Sequence, residues 1–175
     1  MKYRRAWPLI LFIILIGILV FVIQPSSGKN KILPARQSAT VSRVVDGDTI
    51  KILIQEKEDT VRLIGIDAPE TVSSQESAQC FGKNASNMAK ETLMNKAIFI
   101  ESDPTQGDRD EYGRLLRYVF LPDGTNFDEF MLKEGYAREY TFKGRLYKYR
   151  TEFIQSEKTA KKKGKGLWGS CEVEN

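Results

Sequence analysis

Asp46-Gly47-Asp48-Thr49 is followed by Arg62-Leu63-Ile64-Gly65-Ile66-Asp67-Ala68-Pro69-Glu70, and later by Tyr112-Gly113-Arg114. The first two segments can supply oxygen ligands for a hard cation and leave one carboxylate spare to handle a water proton. The two arginines can hold a phosphate through bidentate, permanently charged forks. Carboxylates and arginines in this order suit phosphodiester chemistry. The chain has no histidine. His-ligated zinc and every mechanism with a histidine base are thereby excluded, so metal and proton work falls to Asp and Glu.

These groups need a scaffold, and the hydrophobic pattern describes one. Residues 40–45 and 49–54 are rich in β-branched side chains, the second alternating as Ile50, Ile52 and Ile54. A third strand is expected over 60–66, running directly into Asp67, with a fourth over 97–101 and a fifth over 115–121. Asp46-Gly47-Asp48 falls at the first strand junction. A helix is expected over about 83–95, with Ala85, Met88, Ala89, Thr92 and Leu93 on one face. Asn126 is placed to cap a second helix, with Glu129 three residues on in capping-box spacing and Gly135 as its stop. A third is expected over 146–162, burying Leu146, Tyr149, Phe153 and Ala160. Short strands with interleaved helices suggest an α+β, mostly β domain, a five-stranded barrel of OB type with about three helices, over residues 39–175. At 175 residues the chain has room for one such domain.

The basic excess sits outside it. Lys2, Arg4, Arg5, Lys29, Lys31 and Arg36 precede residue 38, where no acid lies. The other 21 of the 27 basic residues face 23 acids, a net of −2. Attraction to an anionic polymer must therefore come from a local patch or a bound cation. Residues 1–23 combine a positive start with the apolar run Leu9 to Ile23 and read as a signal anchor in preference to a cleaved signal peptide. Residues 24–38 read as a flexible basic linker. Positive-inside places the remainder outside the cytoplasm, held to the membrane if the segment stays uncleaved. Cys80 and Cys171 suit that oxidising compartment, and a disulfide is expected; spacing alone leaves two unrelated thiols open.

On Asp46-Gly47-Asp48-Thr49, Arg62-Leu63, Asp67-x-Pro69-Glu70, Tyr112-Gly113-Arg114, Leu132-x-x-Gly135-x-Ala137 and Leu167-Trp168, residues 39–171 resemble the thermonuclease family of staphylococcal-nuclease-like enzymes. The resemblance implies an OB-fold barrel that hydrolyses DNA and RNA with calcium and leaves 3′-phosphorylated products. It casts Asp48, Asp67 and the backbone carbonyl of Ala68 as calcium ligands. Ala68 stands where threonine is common and keeps the carbonyl. Glu70, ionised at neutral pH by a glutamate's reference pKa of about 4.3, would orient or deprotonate water. Arg62 and Arg114 would stabilise the phosphoryl transition state.

Tyr112 and Tyr140 resemble substrate-pocket tyrosines that meet the terminal phosphate and stack on a base. Phe142 stands where another tyrosine is common, and Glu111 replaces a frequent lysine. Asp46 reads either as a loop support or as an ordinary Asx-turn residue. The lysines at 158, 161, 162, 163 and 165 read more simply as a solvated helix end than as a phosphate-tracking patch. A monomer is expected. Two rivals stand beside the enzyme: a non-catalytic OB module that binds nucleic acid, and a calcium-stabilised structural domain. Neither needs Glu70, Arg62 and Arg114 together.

Overall fold

The structure is a computed structural model that describes residues 36–71 and 79–171. The expected anchor over 1–23 and the linker up to residue 35 lie outside the described residues. Among the described residues, no helix is long and apolar enough to cross a membrane.

Five strands close a barrel: β1 (Gln37–Val44), β2 (Thr49–Ile54), β3 (Lys57–Leu63), β5 (Ala97–Glu101) and β6 (Leu115–Phe120), in the order β1-β2-β3-β6-β5. Every pairing is antiparallel except β3 with β6, which makes the barrel mixed. Alternation is what fills it. Val41, Ile50, Ile52, Val61, Leu63, Ile98 and Ile100 point inward and are almost wholly buried. A separate pair, β4 (Ile66–Asp67) with β7 (Arg138–Glu139), lies beside the barrel.

Among the described residues, four α-helices and a 3-10 turn (Phe142–Gly144) complete the domain: α1 (Gly82–Leu93), α2 (Phe127–Lys133), α3 (Arg150–Lys162) and the single turn α4 (Leu167–Ser170). The α1 helix lays Ala85, Ala89 and Leu93 on the core. Asn126 caps α2 as expected, its Oδ1 accepting from the N–H groups of Asp128 (3.0 Å) and Glu129 (3.2 Å). The box is not reciprocal, because the Glu129 carboxylate takes a hydrogen bond from Ser156 Oγ instead. Gly135, at φ 75°, ends this region against the Lys165 carbonyl, where a Cβ would come within 2.2 Å. The expected disulfide joins Cys80 to Cys171, 91 residues apart, and ties the C-terminal end to the approach to α1. A loop of that length is worth about 4–5 kcal/mol on the chain-entropy account.

The first strand begins at Gln37, inside the expected linker, because Gln37 and Ser38 already pair with β5, and three further boundaries differ by more or matter more to the site. The third strand begins at Lys57 because Gln55 and Glu56 both turn left-handed (φ 47° and 69°), with no glycine or asparagine to mark the hairpin. It stops at Leu63 instead of running into Asp67. Gly65, at φ 81°, reverses the chain where a Cβ would strike the Tyr147 ring at 2.7 Å, and Asp67 is then held by pairing with Arg138. The third helix starts at Arg150, and Leu146 is 68% exposed, not buried. Lys143 (φ 47°) and Gly144 (φ 73°) break the helix there, and the Leu146 carbonyl accepts from Thr105 Oγ1 and Gln106 Nε2.

Asp128 is a fully buried carboxylate on α2. Its Oδ2 accepts from the Val119 N–H at 3.3 Å, while Oδ1 has no partner among the described residues. Burial pushes its pKa well above the ordinary carboxylate range, with Asp48 and Glu101 adding to the rise and Arg62 opposing it. A pKa raised by folding means stability is intact below the unfolded pKa and is lost as pH rises through the folded one. Asp128→Asn is therefore expected to raise the melting temperature at neutral pH. The gain should shrink towards zero as the pH is lowered past the unfolded carboxylate pKa of about 3.9. Melting curves across pH check this, and a variant less stable at pH 7 than at pH 4, relative to the parent, would contradict it.

Candidate active site

The turn between β1 and β2 builds the first part of the site. Asp46 Oδ1 accepts from the Asp48 N–H at 3.0 Å, an Asx-type closure, so Asp46 supports the loop. A Cβ on Gly47 would lie 2.5 Å from the Ala68 Cβ, so this turn packs directly on the Asp67-Ala68 segment. The Asp48 carboxylate, in a residue only 6% exposed, is thoroughly engaged. Its Oδ2 accepts from the Ala68 N–H (2.7 Å), its Oδ1 from Thr49 Oγ1 (3.0 Å), and Arg62 Nε lies 3.2 Å from Oδ1.

Arg62, on β3, is the hub. Its Nη1 donates to the carbonyls of Leu63 (2.8 Å) and Ile66 (2.7 Å), clamping the turn that delivers Asp67. Its Nη2 donates to Asp67 Oδ1 at 3.0 Å. One guanidinium thus bridges the two carboxylates expected to share a cation. Asp67 is exposed at the site's open end. Loss of hydration raises its pKa, Arg62 and Arg138 oppose the rise, and Asp48 adds to it. Asp46 is raised to about 6, first by burial and then by the negative charge of Asp48, with Glu70 contributing. Asp48 lies close enough to raise the pKa of both Asp46 and Asp67, and two carboxylates with a backbone carbonyl are donors of the hard oxygen type. That set fits a calcium-like cation that takes its remaining ligands from water. Among the described residues, no three acidic, cysteine or histidine side chains converge to hold a metal by side chains alone.

Glu70 is set from the other side. Its N–H donates to Gln79 Oε1 (3.1 Å) and its carbonyl accepts from the Gln79 N–H (3.0 Å). The start of α1 presses on it so closely that a Cβ on Gly82 would sit 2.2 Å from the Glu70 carbonyl oxygen. The glutamate backbone is therefore fixed while its side chain reaches the exposed surface.

Arg114 comes from the turn leading into β6. Asp110 organises that turn: its Oδ1 accepts from the N–H groups of Tyr112 (3.0 Å) and Arg114 (2.9 Å), and its Oδ2 from Arg114 Nε (2.7 Å). These hydrogen bonds hold Asp110 below the usual carboxylate range although burial works against it. Arg109 braces the same turn, gripping Asp59 on β3 with both terminal nitrogens (3.0 and 2.6 Å) and the Gly113 carbonyl at 2.6 Å. Along the chain, Asp110 and Arg109 look like nothing more than part of a polar loop. The signal for Asp110 is its spacing: an Asx acceptor two residues before Tyr112 and four before Arg114.

Arg62, Asp67, Tyr112, Arg114 and Tyr140 line one cleft of about 560 Å³, floored by Leu63, Ile64, Gly65 and Leu116. Tyr112 is 77% exposed, with the Arg114 guanidinium 5.3 Å from its ring centre. Tyr140 is fixed by its N–H to the Gly65 carbonyl at 3.0 Å and stands 6.3 Å from the Phe142 ring. Asp48, Ala68 and Glu70 are not among the residues that line this cleft. The C-terminal lysines are not part of it. Lys161 pairs with Glu157 and covers the Trp168 ring, and Lys165 binds Glu134 through both carboxylate oxygens.

The fold and the cleft together define a mixed five-stranded barrel of OB type that carries acids and arginines in one cleft. Residues 60–170 match the family described as staphylococcal nuclease homologue. The chain is 40% identical to the thermonuclease of Staphylococcus hyicus over 134 residues, covering 77% of each protein. It is 39% identical to the thermonuclease of Staphylococcus intermedius, over 89% of this chain and 94% of that one. It is also 40% identical to endonuclease YncB of Bacillus subtilis (strain 168), over 75% of this chain and 61% of that protein. The chain belongs to the staphylococcal nuclease family, and its homology is to nucleases.

Proposed function

We propose that this protein is an exported, calcium-dependent nuclease that hydrolyses DNA and RNA with little sequence preference. The observation that carries the reading is the single cleft shared by Arg62, Arg114, Asp67, Tyr112 and Tyr140. Arg62 and Arg114 bind the scissile phosphate and stabilise the charge that grows on its oxygens during attack. Glu70 orients a water and takes its proton as the water oxygen bonds to phosphorus. The bond to the 5′-oxygen breaks, that oxygen leaves and is protonated, and the phosphate stays on the 3′ side. Asp48, Asp67 and the Ala68 carbonyl would hold calcium, which supplies charge stabilisation to a phosphate oxygen when bound.

Tyr112 and Tyr140 present ring faces to bases. Stacking contributes roughly 1–3 kcal/mol per base and accepts any base, which supports low selectivity. The Cys80–Cys171 disulfide supports an oxidising compartment, and residues 1–23 supply the export signal or membrane anchor in this reading.

Incubation of the protein with single-stranded DNA and RNA is expected to give cleavage with calcium and none with excess EDTA, with 3′-phosphates on the products. Cleavage that persists in EDTA would remove the metal from the scheme. Tight binding without cleavage in any divalent metal would favour the non-catalytic binding module.

A further inference from the structure

We propose that Arg145, with Lys143 beside it, takes the phosphate next along the strand from the one being cleaved, so that the protein favours a polynucleotide over a dinucleotide. The inference rests on the nuclease reading and extends it to how much of the substrate is gripped. Four arginines line the cleft. Three are already committed: Arg62 to Asp48 and Asp67, Arg109 to Asp59, and Arg114 to Asp110. The Arg145 guanidinium has no ion-pair or hydrogen-bond partner among the described residues. Among the described residues, Lys143 meets only the Phe142 ring, at 4.9 Å. Arg62 and Arg114 share their charge between these acids and the scissile phosphate, whereas Arg145 and Lys143, with no acidic partner among the described residues, keep theirs undivided for a further anion.

The segment that carries them is anchored on both sides. Ahead of it, the Tyr140 N–H is bound to the Gly65 carbonyl, and Thr141 Oγ1 accepts from Arg150 Nε at 2.9 Å. Behind it, the Leu146 carbonyl is held by Thr105 Oγ1 (2.8 Å) and Gln106 Nε2 (3.0 Å). The Lys148 N–H is held by the buried Asp103 at 2.8 Å. Between these anchors the left-handed pair Lys143-Gly144 forms a short 3-10 turn, Phe142–Gly144. The cations therefore stand on a preformed turn that lines the cleft, just after Tyr140 in the chain. A strand whose base lies on Tyr140 and whose phosphate meets Arg62 and Arg114 continues along this turn. The segment that brings Arg114 to the cleft also brings Asp110 and Glu111, whereas residues 140–145 contribute Lys143 and Arg145 to its lining and no acid.

The test uses the full-length protein and its K143Q/R145Q and R145K variants. Binding of fluorescein-labelled dodecathymidylate and of a thymidine dinucleotide is followed by anisotropy in EDTA across a salt series. Cleavage of both is followed in calcium. K143Q/R145Q is expected to weaken dodecamer binding roughly fivefold, the size of one or two exposed ion pairs. Its log–log salt slope should fall by about 0.7 for each phosphate no longer neutralised. The dodecamer KM should rise with kcat unchanged, dinucleotide binding should stay the same, and R145K should restore most of the affinity. Equal weakening of both ligands, or an unchanged salt slope, overturns the proposal. Failure of the parent protein to cleave either substrate overturns the nuclease reading instead, and the binding ratio still decides the role of the turn.

Discussion

Glu70→Gln is expected to lower the rate of phosphodiester cleavage by about 10²–10⁴-fold, the usual contribution of a positioned general base, while the protein keeps its melting temperature. The two halves of that result come from different parts of the structure. Gln79 and the tight approach of Gly82 hold the Glu70 backbone, and an isosteric amide leaves those interactions untouched. The Glu70 charge is one of those that raise Asp46, so neutralising it relieves that repulsion. The amide cannot accept a proton from water. Steady-state cleavage with a thermal melt on the same sample checks both halves. Turnover within a few-fold of the parent would remove Glu70 from the proposed mechanism.

Arg62→Gln should fail twice. Removing a donor aimed at developing charge costs about 10²–10³ in kcat. The same change strips Asp48 of its counter-charge and releases the Leu63 and Ile66 carbonyls. The Arg62 side chain is 14% exposed and that of Asp48 9%, so the loss approaches that of breaking a buried pair, about 3 kcal/mol. From residue type alone this variant should keep its fold and lose only activity; the hub position of Arg62 adds the cost in stability. Arg114→Gln is the contrast. Its partner Asp110 lies nearer solvent, so the rate should fall comparably while the melting temperature drops much less. Rates taken well below both melting temperatures separate the effects. If Arg62→Gln melts like the parent, the hub role assigned to it is wrong.

Much of the fold is legible in the sequence because alternating and helical patterns act locally. The β-branched alternation around Ile50 and Ile52 and the cap at Asn126 lead to the right elements. The misplaced boundaries lie where strand pairing or a distant interaction overrides local preference. Gln55-Glu56 carries no turn signal, yet the β2–β3 register forces both residues left-handed. Leu146 continues a helical pattern, yet Thr105 and Gln106 hold its carbonyl from a loop about 40 residues earlier. Tyr112 and Tyr140 are expected to share a pocket, and they line the same cleft. Asp110 escapes a reading of the sequence because its work is done by oxygens facing its own turn.

Residue type and spacing by themselves determined the chemical inventory: carboxylates for a hard cation, one acid for a proton, arginines for phosphate, and no histidine to compete. Those are properties of side chains, and they hold whatever the fold. Only the tertiary structure decided which charges are already spent. Arg62, Arg109 and Arg114 look alike along the chain, and each proves bound to a particular carboxylate, whereas Arg145 is left facing the cleft without one among the described residues. Partnering depends on distance and burial, and both are set by how strands far apart in sequence close into one barrel.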